Sequence, residues 1–321
     1  MPKSPSHNRE GSGSTESPRI LIVRAGAIGD TLMTTPLVRA LRRCFPNAHL
    51  VFLSSRTTEN VLRCNPNLDE VVALSYRRLP LLISPEKQML ARRLRGLKLD
   101  WALALESNPR LLDVVIDSRP ARLIAYGPLP ARQGFETVRF DPQLHSIQNH
   151  LNAALALGVT PAGHAMDLPY PPDCDATVER HLEAWGVNAR ERVVGVHVGW
   201  GGRKHAIEKT RLRSWPVENF AEVIRRLVKA KGTRVVLTGA AADRDLNEAI
   251  IRRAGVSCLN LAGKLPILEL AALIRRLSLY LTVDSGPAHM AAALGTPLVT
   301  LWGPGIFEQT QPIAGSGPVV I

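Results

Sequence analysis

The sequence predicts an α/β protein of two Rossmann-like domains, each a parallel sheet flanked by helices, facing one another across a cleft. Three observations predict it. Short apolar runs alternate with amphipathic stretches along the chain. A proline-bearing segment, residues 158–175 with Pro161, Pro169, Pro171 and Pro172, divides that alternation into two halves. Each half carries a turn, residues 25–30 and the polar 284–287, that leads directly from an apolar run into a helix.

Length and composition agree with two domains. The chain has 321 residues and is 45% hydrophobic, enough for two packed cores. Lys and Arg outnumber Asp and Glu by 40 to 28, a net charge of +12 that suits an anionic partner: nucleic acid, phosphorylated lipid or anionic membrane. Nucleic-acid binding also asks for aromatic residues interleaved with basic ones, yet the aromatic fraction is 5% and no such stripe is present. The chemistry of a nucleic-acid binder is therefore set aside. Cys44, Cys64, Cys174 and Cys258 form no C-x-x-C pair, which argues against a zinc site or disulfide framework and for reduced thiols in a cytoplasmic protein. No apolar run reaches the roughly 18 residues that a membrane span needs. Residues 1–18 are polar and rich in Ser, Gly and Pro, and read as a disordered leader.

The elements follow in order. Residues 20–23 form a strand, 25–30 a turn, 31–44 an amphipathic helix and 49–53 a second strand. Further strands fall at 71–74, 101–105 and 122–126, and a helix over 145–157 closes a first domain of residues 19–160. Residues 161–190 read as linker and connecting helix. In the second domain, 191–321, strands fall at 193–198, 234–239, 259–261, 279–283 and 297–302, with helices over 217–231, 244–254, 267–277 and 288–294 between them.

Two junctions carry chemistry. At Asp284-Ser285-Gly286-Pro287 a helix starts straight after a strand, so its free N–H groups and partial positive charge point into the crevice where open α/β sheets bind ligands. Phosphate suits such a site, and small residues there allow close approach. The alternative is that Asp284 and Ser285 only cap the helix while His289 fills space on its first turn. At the other junction, Gly26 and Gly29 let the chain turn sharply and Asp30 stands at the helix start, followed by Thr31. The spacing G-x-x-G-D is not the dinucleotide fingerprint, and no acidic residue follows the second strand to bind a ribose, which argues against a nicotinamide enzyme. Asp30 reads either as a helix cap worth about 1 kcal/mol or as a general base facing a substrate hydroxyl.

Taken together, GDTLMTTPLVRALRRCFPNAHLVFL and NLAGKLPILELAALIRRLSLYLTVDSGPAHMAAALGTPLVTLWGP make the chain resemble glycosyltransferase family 9, the ADP-heptose:lipopolysaccharide heptosyltransferases, over residues 19 to 312. The resemblance implies a GT-B fold whose N-terminal domain receives the acceptor and whose C-terminal domain binds the nucleotide sugar. It implies inverting transfer of heptose from ADP-heptose to a phosphorylated lipid A–core acceptor, with no metal and no cofactor besides the activated sugar. Asp30 matches the catalytic carboxylate of the family, and Gly26, Gly29 and Thr31 its acceptor-side turn. Ser285, Gly286 and Pro287 match the diphosphate turn, with Asp284 and His289 where donor contacts fall.

Other matches are looser. Arg213 in R-S-W-P takes the place of the basic partner of the diphosphate, with Lys209 nearby in a loop, 199–211, that is longer than the common version. Asp243 falls where a ribose contact is expected and Leu265 near adenine, with helix capping and core packing as their alternatives. Arg77, Arg78, Lys87, Arg92, Arg93, Arg95 and Lys98 surround the apolar run 79–83, which reads as a surface for anionic lipid at the inner face of a bacterial inner membrane or as a solvated helix face. The second domain ends at Ile321, sooner than the family pattern, and is expected to be short. The alternatives are a transferase of this fold using another nucleotide sugar or a protein acceptor and, from another class, a non-catalytic basic binding protein.

Overall fold

In the computed structural model, which describes residues 17–75, 79–188, 190–199, 215–229, 233–303, 305–315 and 319–320, alternate residues of the first strand enter different apolar layers. Along β1 (Arg19–Val23), Ile20 and Ile22 join one layer while Leu21 and Val23 join the other. A strand covered by helices on both faces requires this, and each fully buried Leu, Ile or Val there contributes roughly 1.5–3 kcal/mol.

The first domain continues through α1 (Ile28–Leu32), α2 (Thr35–Cys44), β2 (His49–Ser55), α3 (Glu59–Leu62), β3 (Glu70–Leu74), α4 (Pro85–Gly96), β4 (Trp101–Ala104), α5 (Pro109–Asp117), β5 (Arg122–Ala125), β6 (Phe135–Thr137) and α6 (Ser146–Leu155). Its six strands are all parallel in the order β3-β2-β1-β4-β5-β6. After α7 (Asp173–Ala184), the second domain runs β7 (Arg192–His197), α8 (Val217–Lys229), β8 (Thr233–Thr238), α9 (Arg244–Ala254), β9 (Leu259–Asn260), α10 (Ile267–Arg276), β10 (Leu279–Val283), α11 (Gly286–Leu294), β11 (Leu298–Leu301), α12 (Phe307–Thr310) and β12 (Val319–Val320). Its six strands are again parallel, in the order β12-β11-β10-β7-β8-β9. Read from the third strand of each domain, both sheets have the order 3-2-1-4-5-6, so the two-domain Rossmann-like reading holds. Val319–Val320 supplies the sixth strand of the second sheet, pairing with β11.

The single helix expected over 31–44 is two helices, and the cause is local. Pro36 has no N–H to give the carbonyl of Leu32, and the Thr35 hydroxyl donates to that oxygen instead at 2.8 Å. The Thr34 hydroxyl likewise donates to the Asp30 carbonyl at 3.0 Å. A helix broken here leaves α1 free to aim its own start independently of α2. The strand β6 and helices α3 and α5 are additions to the sequence reading, and residues 1–16 of the expected leader lie outside the described residues.

The linker is pinned to the first domain. Arg39 of α2 pairs with Asp167 and donates to the Ala165 carbonyl at 2.7 Å, while the Thr35 hydroxyl accepts from the Asp167 N–H at 2.8 Å. Met166 and Leu168 are buried beside them. A second tie crosses between domains after β11, where the His145 ring nitrogen Nε2 meets the Gln311 carbonyl at 3.0 Å and the Gln309 amide donates to the Pro142 carbonyl at 2.9 Å. Because Nδ1 of His145 accepts from the Ile147 N–H, Nε2 carries the hydrogen.

Candidate active site

Strand order decides where a ligand sits. In a doubly wound sheet the crevice opens where the order reverses, beyond the carboxyl ends of the two flanking strands. Here those strands are β1 and β4 in the first sheet and β7 and β10 in the second. The segment carrying Asp30 follows β1, and Asp284 to Pro287 follow β10. Both junctions singled out in the sequence therefore stand at a topological switch point.

Asp30 is on the first turn of α1, with its side chain 31% exposed. Oδ2 accepts from the Ala27 N–H at 2.9 Å, which caps the helix, and Oδ1 accepts from Arg24 Nη2 at 2.8 Å. Burial opposes ionisation of this carboxyl, but the Arg24 charge and the two hydrogen bonds outweigh it and hold its pKa below the usual value. A Cβ on Gly26 would stand 2.5 Å from the Asp30 Cβ, so only glycine lets the carboxylate fold back on the turn. One geometry thus caps the helix and keeps the carboxylate ionised, so capping does not compete with a further role for Asp30. Thr31 faces inward: it is fully buried and donates to the Ala27 carbonyl at 3.1 Å.

The second junction meets the first directly. A Cβ on Gly29 would lie 2.5 Å from His289 Cδ2, and one on Gly286 would lie 2.8 Å from the Ile28 Cβ. The cleft is closed to van der Waals contact at this point, where the starts of α1 and α11 touch. Pro287 occupies the first turn of α11 as expected, and Gly295, at φ 72°, ends the helix. Ser285 does not cap it; its hydroxyl lies 3.2 Å from that of Thr282. Pro287 has no N–H and the Ala288 N–H donates to the Ser285 carbonyl at 3.1 Å, so at the mouth of the second sheet the Gly286 N–H starts α11 without a cap from the Ser285 side chain. Asp284 is nearly buried beneath the segment after β11, where Trp302 Nε1 donates to the Gly305 carbonyl at 3.1 Å.

The looser candidates separate. Asp243 is buried, and its Oδ2 accepts from the Ala240 N–H at 2.8 Å, so in this structure it serves the capping alternative. Its carboxyl lies where a Cβ on Gly199 would be, at the ends of β7 and β8. Leu265 is half-buried and packs against the apolar layer shared by the two domains. Arg213, Lys209, Arg77 and Arg78 lie outside the described residues. Lys87 does not belong to an exposed basic surface: it is fully buried, and Nζ donates to the Arg110 carbonyl at 2.7 Å. Arg92, Arg93 and Lys98 are exposed, Arg95 is half-buried, and the adjacent Leu82, Ile83 and Met89 are 86%, 66% and 68% exposed. Among the described residues no helix is long and apolar enough to cross a membrane, and no group of three His, Cys, Asp or Glu could hold a metal ion.

Several polar groups at the site were not picked out in the sequence. Arg24 and Glu106 follow the last residues of β1 and β4, a placement that only the strand order makes significant. Tyr126 and His150 form another pair, OH to Nδ1 at 3.1 Å. In the second domain His197 Nδ1 lies 3.0 Å from the Thr238 hydroxyl, which lies 2.8 Å from Tyr280 OH. Burial pushes the pKa of His197 and of His289 down to about 4. The unfolded chain, with His near 6.5, then takes up protons before the folded one, so folding stability is present above about pH 6.5 and falls as pH drops toward 4. Urea titrations across that window should show His197→Gln reducing the dependence by about 1 kcal/mol per pH unit. An unchanged slope would place a proton on His197 in the folded state.

The model of glycosyltransferase family 9 (heptosyltransferase) matches residues 203–320. Lipopolysaccharide heptosyltransferase 3 of Escherichia coli (strain K12) is 26% identical over 287 residues, covering 86% of this chain and 79% of that protein. Among solved structures, the glycosyl transferase family 9 protein from Veillonella parvula DSM 2008 superposes with a TM-score of 0.83 at 22% identity, covering 94% of this chain and 86% of that one. The E. coli heptosyltransferase WaaC with ADP superposes with a TM-score of 0.72 at 19% identity, covering 94% and 92%. At these identities the two structures establish the GT-B type of fold, while the family model and the E. coli relative carry the lineage. Over residues 203–320 the chain is a member of glycosyltransferase family 9, the heptosyltransferase family, and the relative that matches 86% of it is a heptosyltransferase.

Proposed function

We propose that this protein transfers heptose, with inversion, from ADP-heptose to a sugar hydroxyl of a lipopolysaccharide inner-core acceptor, without a metal. The observation that carries the reading is the contact of α1, which bears Asp30, with the start of α11: a helix start with an ionised carboxylate and a helix start after a strand, from different domains, meet at the switch points of both sheets. The E. coli relatives, a lipopolysaccharide heptosyltransferase and a heptosyltransferase solved with ADP, support this choice of donor and acceptor class.

The chemistry divides between the domains. Asp30 takes the proton of the acceptor hydroxyl as that oxygen attacks the anomeric carbon from the face opposite the leaving group. The bond from the anomeric carbon to the diphosphate oxygen breaks, and its electron pair leaves on ADP. Negative charge grows on that oxygen, where the Gly286 N–H and the partial positive charge at the start of α11 stabilise it. Asp284, Ser285, Pro287 and His289 shape this pocket, and Arg213 or Lys209 supplies a cation. Asp243 and Leu265 border the nucleoside. An acceptor embedded in an anionic bilayer suits the exposed Leu82, Ile83 and Met89 beside Arg92 and Arg93, so the enzyme works as a peripheral protein at the cytoplasmic face.

Purified protein given ADP-heptose and heptose-deficient lipopolysaccharide in anionic vesicles should release ADP in the presence of a chelator and co-sediment with the vesicles. Release with another nucleotide sugar but not with ADP-heptose would replace the donor. Transfer only to a protein substrate would replace the acceptor.

A further inference from the structure

Asp30 is held by a side chain that is itself held. Arg24 is the residue after β1, and its guanidinium spans the switch point: Nη1 donates to the Leu105 carbonyl at 2.7 Å while Nη2 donates to Asp30 Oδ1 at 2.8 Å. Leu105 is not a loose anchor, because its own N–H donates to the Val23 carbonyl at 3.0 Å and extends the β1–β4 pairing by one residue. Glu106 grips the same corner from the other side. Its Oε1 is 3.7 Å from Arg24 Nη1 and its Oε2 accepts from the Ala25 N–H at 3.3 Å. The guanidinium therefore lies between two carboxylates, and only one of them, Asp30, faces the start of α11.

We infer that Arg24 is a positioning residue for the catalytic base: tethered to the end of β4, it fixes the direction in which the Asp30 carboxylate meets the acceptor. The inference rests on the reading of Asp30 as that base. An untethered carboxylate could turn about its side-chain bonds and lose the acceptor proton's line of approach. With Oδ2 held by Ala27 and Oδ1 by Arg24, the plane of the group is set before any acceptor arrives. Glu106 adds a second function, since it keeps a counter-charge on Arg24 at the moment when Asp30 becomes protonated and neutral.

The groups around Asp30 make Arg24 separable by pH. From its own segment Asp30 faces Arg24 and the Ala27 N–H, from α11 it faces His289, and beyond Arg24 stand Glu106, Tyr126 and His150, with the field of His145 reaching both buried histidines. Burial keeps His289 and His150 neutral at pH 7 and keeps the Tyr126 hydroxyl protonated. Of the two basic groups among the described residues whose field lowers the Asp30 pKa, only Arg24 is then charged at neutral pH. Without it, the Ala27 hydrogen bond is the lowering contact left among the described residues, and the pKa of the carboxyl rises, by the roughly 1–3 that a neighbouring guanidinium is worth.

The test compares full-length wild type, Arg24→Met and Arg24→Lys by kcat and kcat/KM against pH, using ADP-heptose and heptose-deficient lipopolysaccharide. Melting temperature and ADP affinity serve as controls. Wild type should show no acid limb above about pH 5. Arg24→Met should lose about 100-fold in kcat with ADP affinity unchanged, and its acid limb should move up by about 1–3 pH units. Arg24→Lys keeps the charge but cannot bridge Leu105 and Asp30 as the planar fork does, so its limb should stay near wild type while kcat remains depressed. A uniform loss in Arg24→Met with an unmoved limb, or a wild-type kcat in Arg24→Lys, would overturn the inference. Should Arg24→Met fail to fold, the lysine variant decides. Full activity of Asp30→Asn would instead remove the base itself, a different failure read from a different protein.

Discussion

Asn at position 30 is expected to reduce kcat by about 10²- to 10⁴-fold, the range that a positioned general base contributes, while leaving ADP affinity near wild type. The geometry makes this a clean substitution. The amide oxygen can still accept from the Ala27 N–H, so the start of α1 stays capped. Arg24 loses one partner but keeps the Leu105 carbonyl and Glu106. Because the pair is partly exposed, with side chains 20% and 31% accessible, its loss should cost no more than about 1 kcal/mol of stability. ADP release measures the first effect, and calorimetric ADP binding with thermal unfolding measures the rest. Turnover within tenfold of wild type would reduce Asp30 to a helix cap.

Placing Ala or Val at position 29 should do comparable damage by a different route. Glycine is required there because a Cβ would enter the His289 ring, 2.5 Å from Cδ2 and 2.8 Å from Nε2, and that ring is buried and cannot swing into solvent. Forcing atoms into a packed contact costs about 1–3 kcal/mol. The strain falls where α1 of the first domain touches α11 of the second, so relief means moving Asp30 away from the start of α11, the end proposed to hold the leaving group. A displacement of about 1 Å at a reacting centre is worth about 100-fold in rate. Gly96→Ala is the matched control: a Cβ there meets nothing within 4 Å, and stability should be unchanged or rise by up to about 1 kcal/mol. If Gly29→Ala melts and turns over like the control, the two domains do not depend on this contact.

Much of the site was legible because its two parts are local. A glycine turn followed by an acid, and D-S-G-P between a strand and a helix, are patterns of adjacent residues whose backbone meaning is fixed within one turn. The break after α1 was legible in the same way, since Pro36 announces it, although the sequence reading ran one helix through it. Lys87 illustrates the opposite case. It sits in a run of basic residues that reads as a charged face, yet α4 turns that one side chain inward onto the Arg110 carbonyl. Asp243 is similar: its position after β8 suits a ribose, and its hydrogen bond goes to the backbone that follows that strand.

The sequence by itself determined the two parallel sheets and the helix starts that face the cleft, and with them the positions of the proposed base, Asp30, and of the proposed anion-binding turn, 284–287. All of these arise from periodicity and from neighbours within a few residues. The tertiary structure alone decided which groups aim and restrain that acid. Arg24 reaches Leu105 across 81 residues of chain, and Gly29 meets His289 across a still longer span, because strand order and domain docking bring them together. The physical reason is that local pattern specifies an element and its buried face, whereas contacts between elements exist only once crossovers have fixed which strand lies beside which.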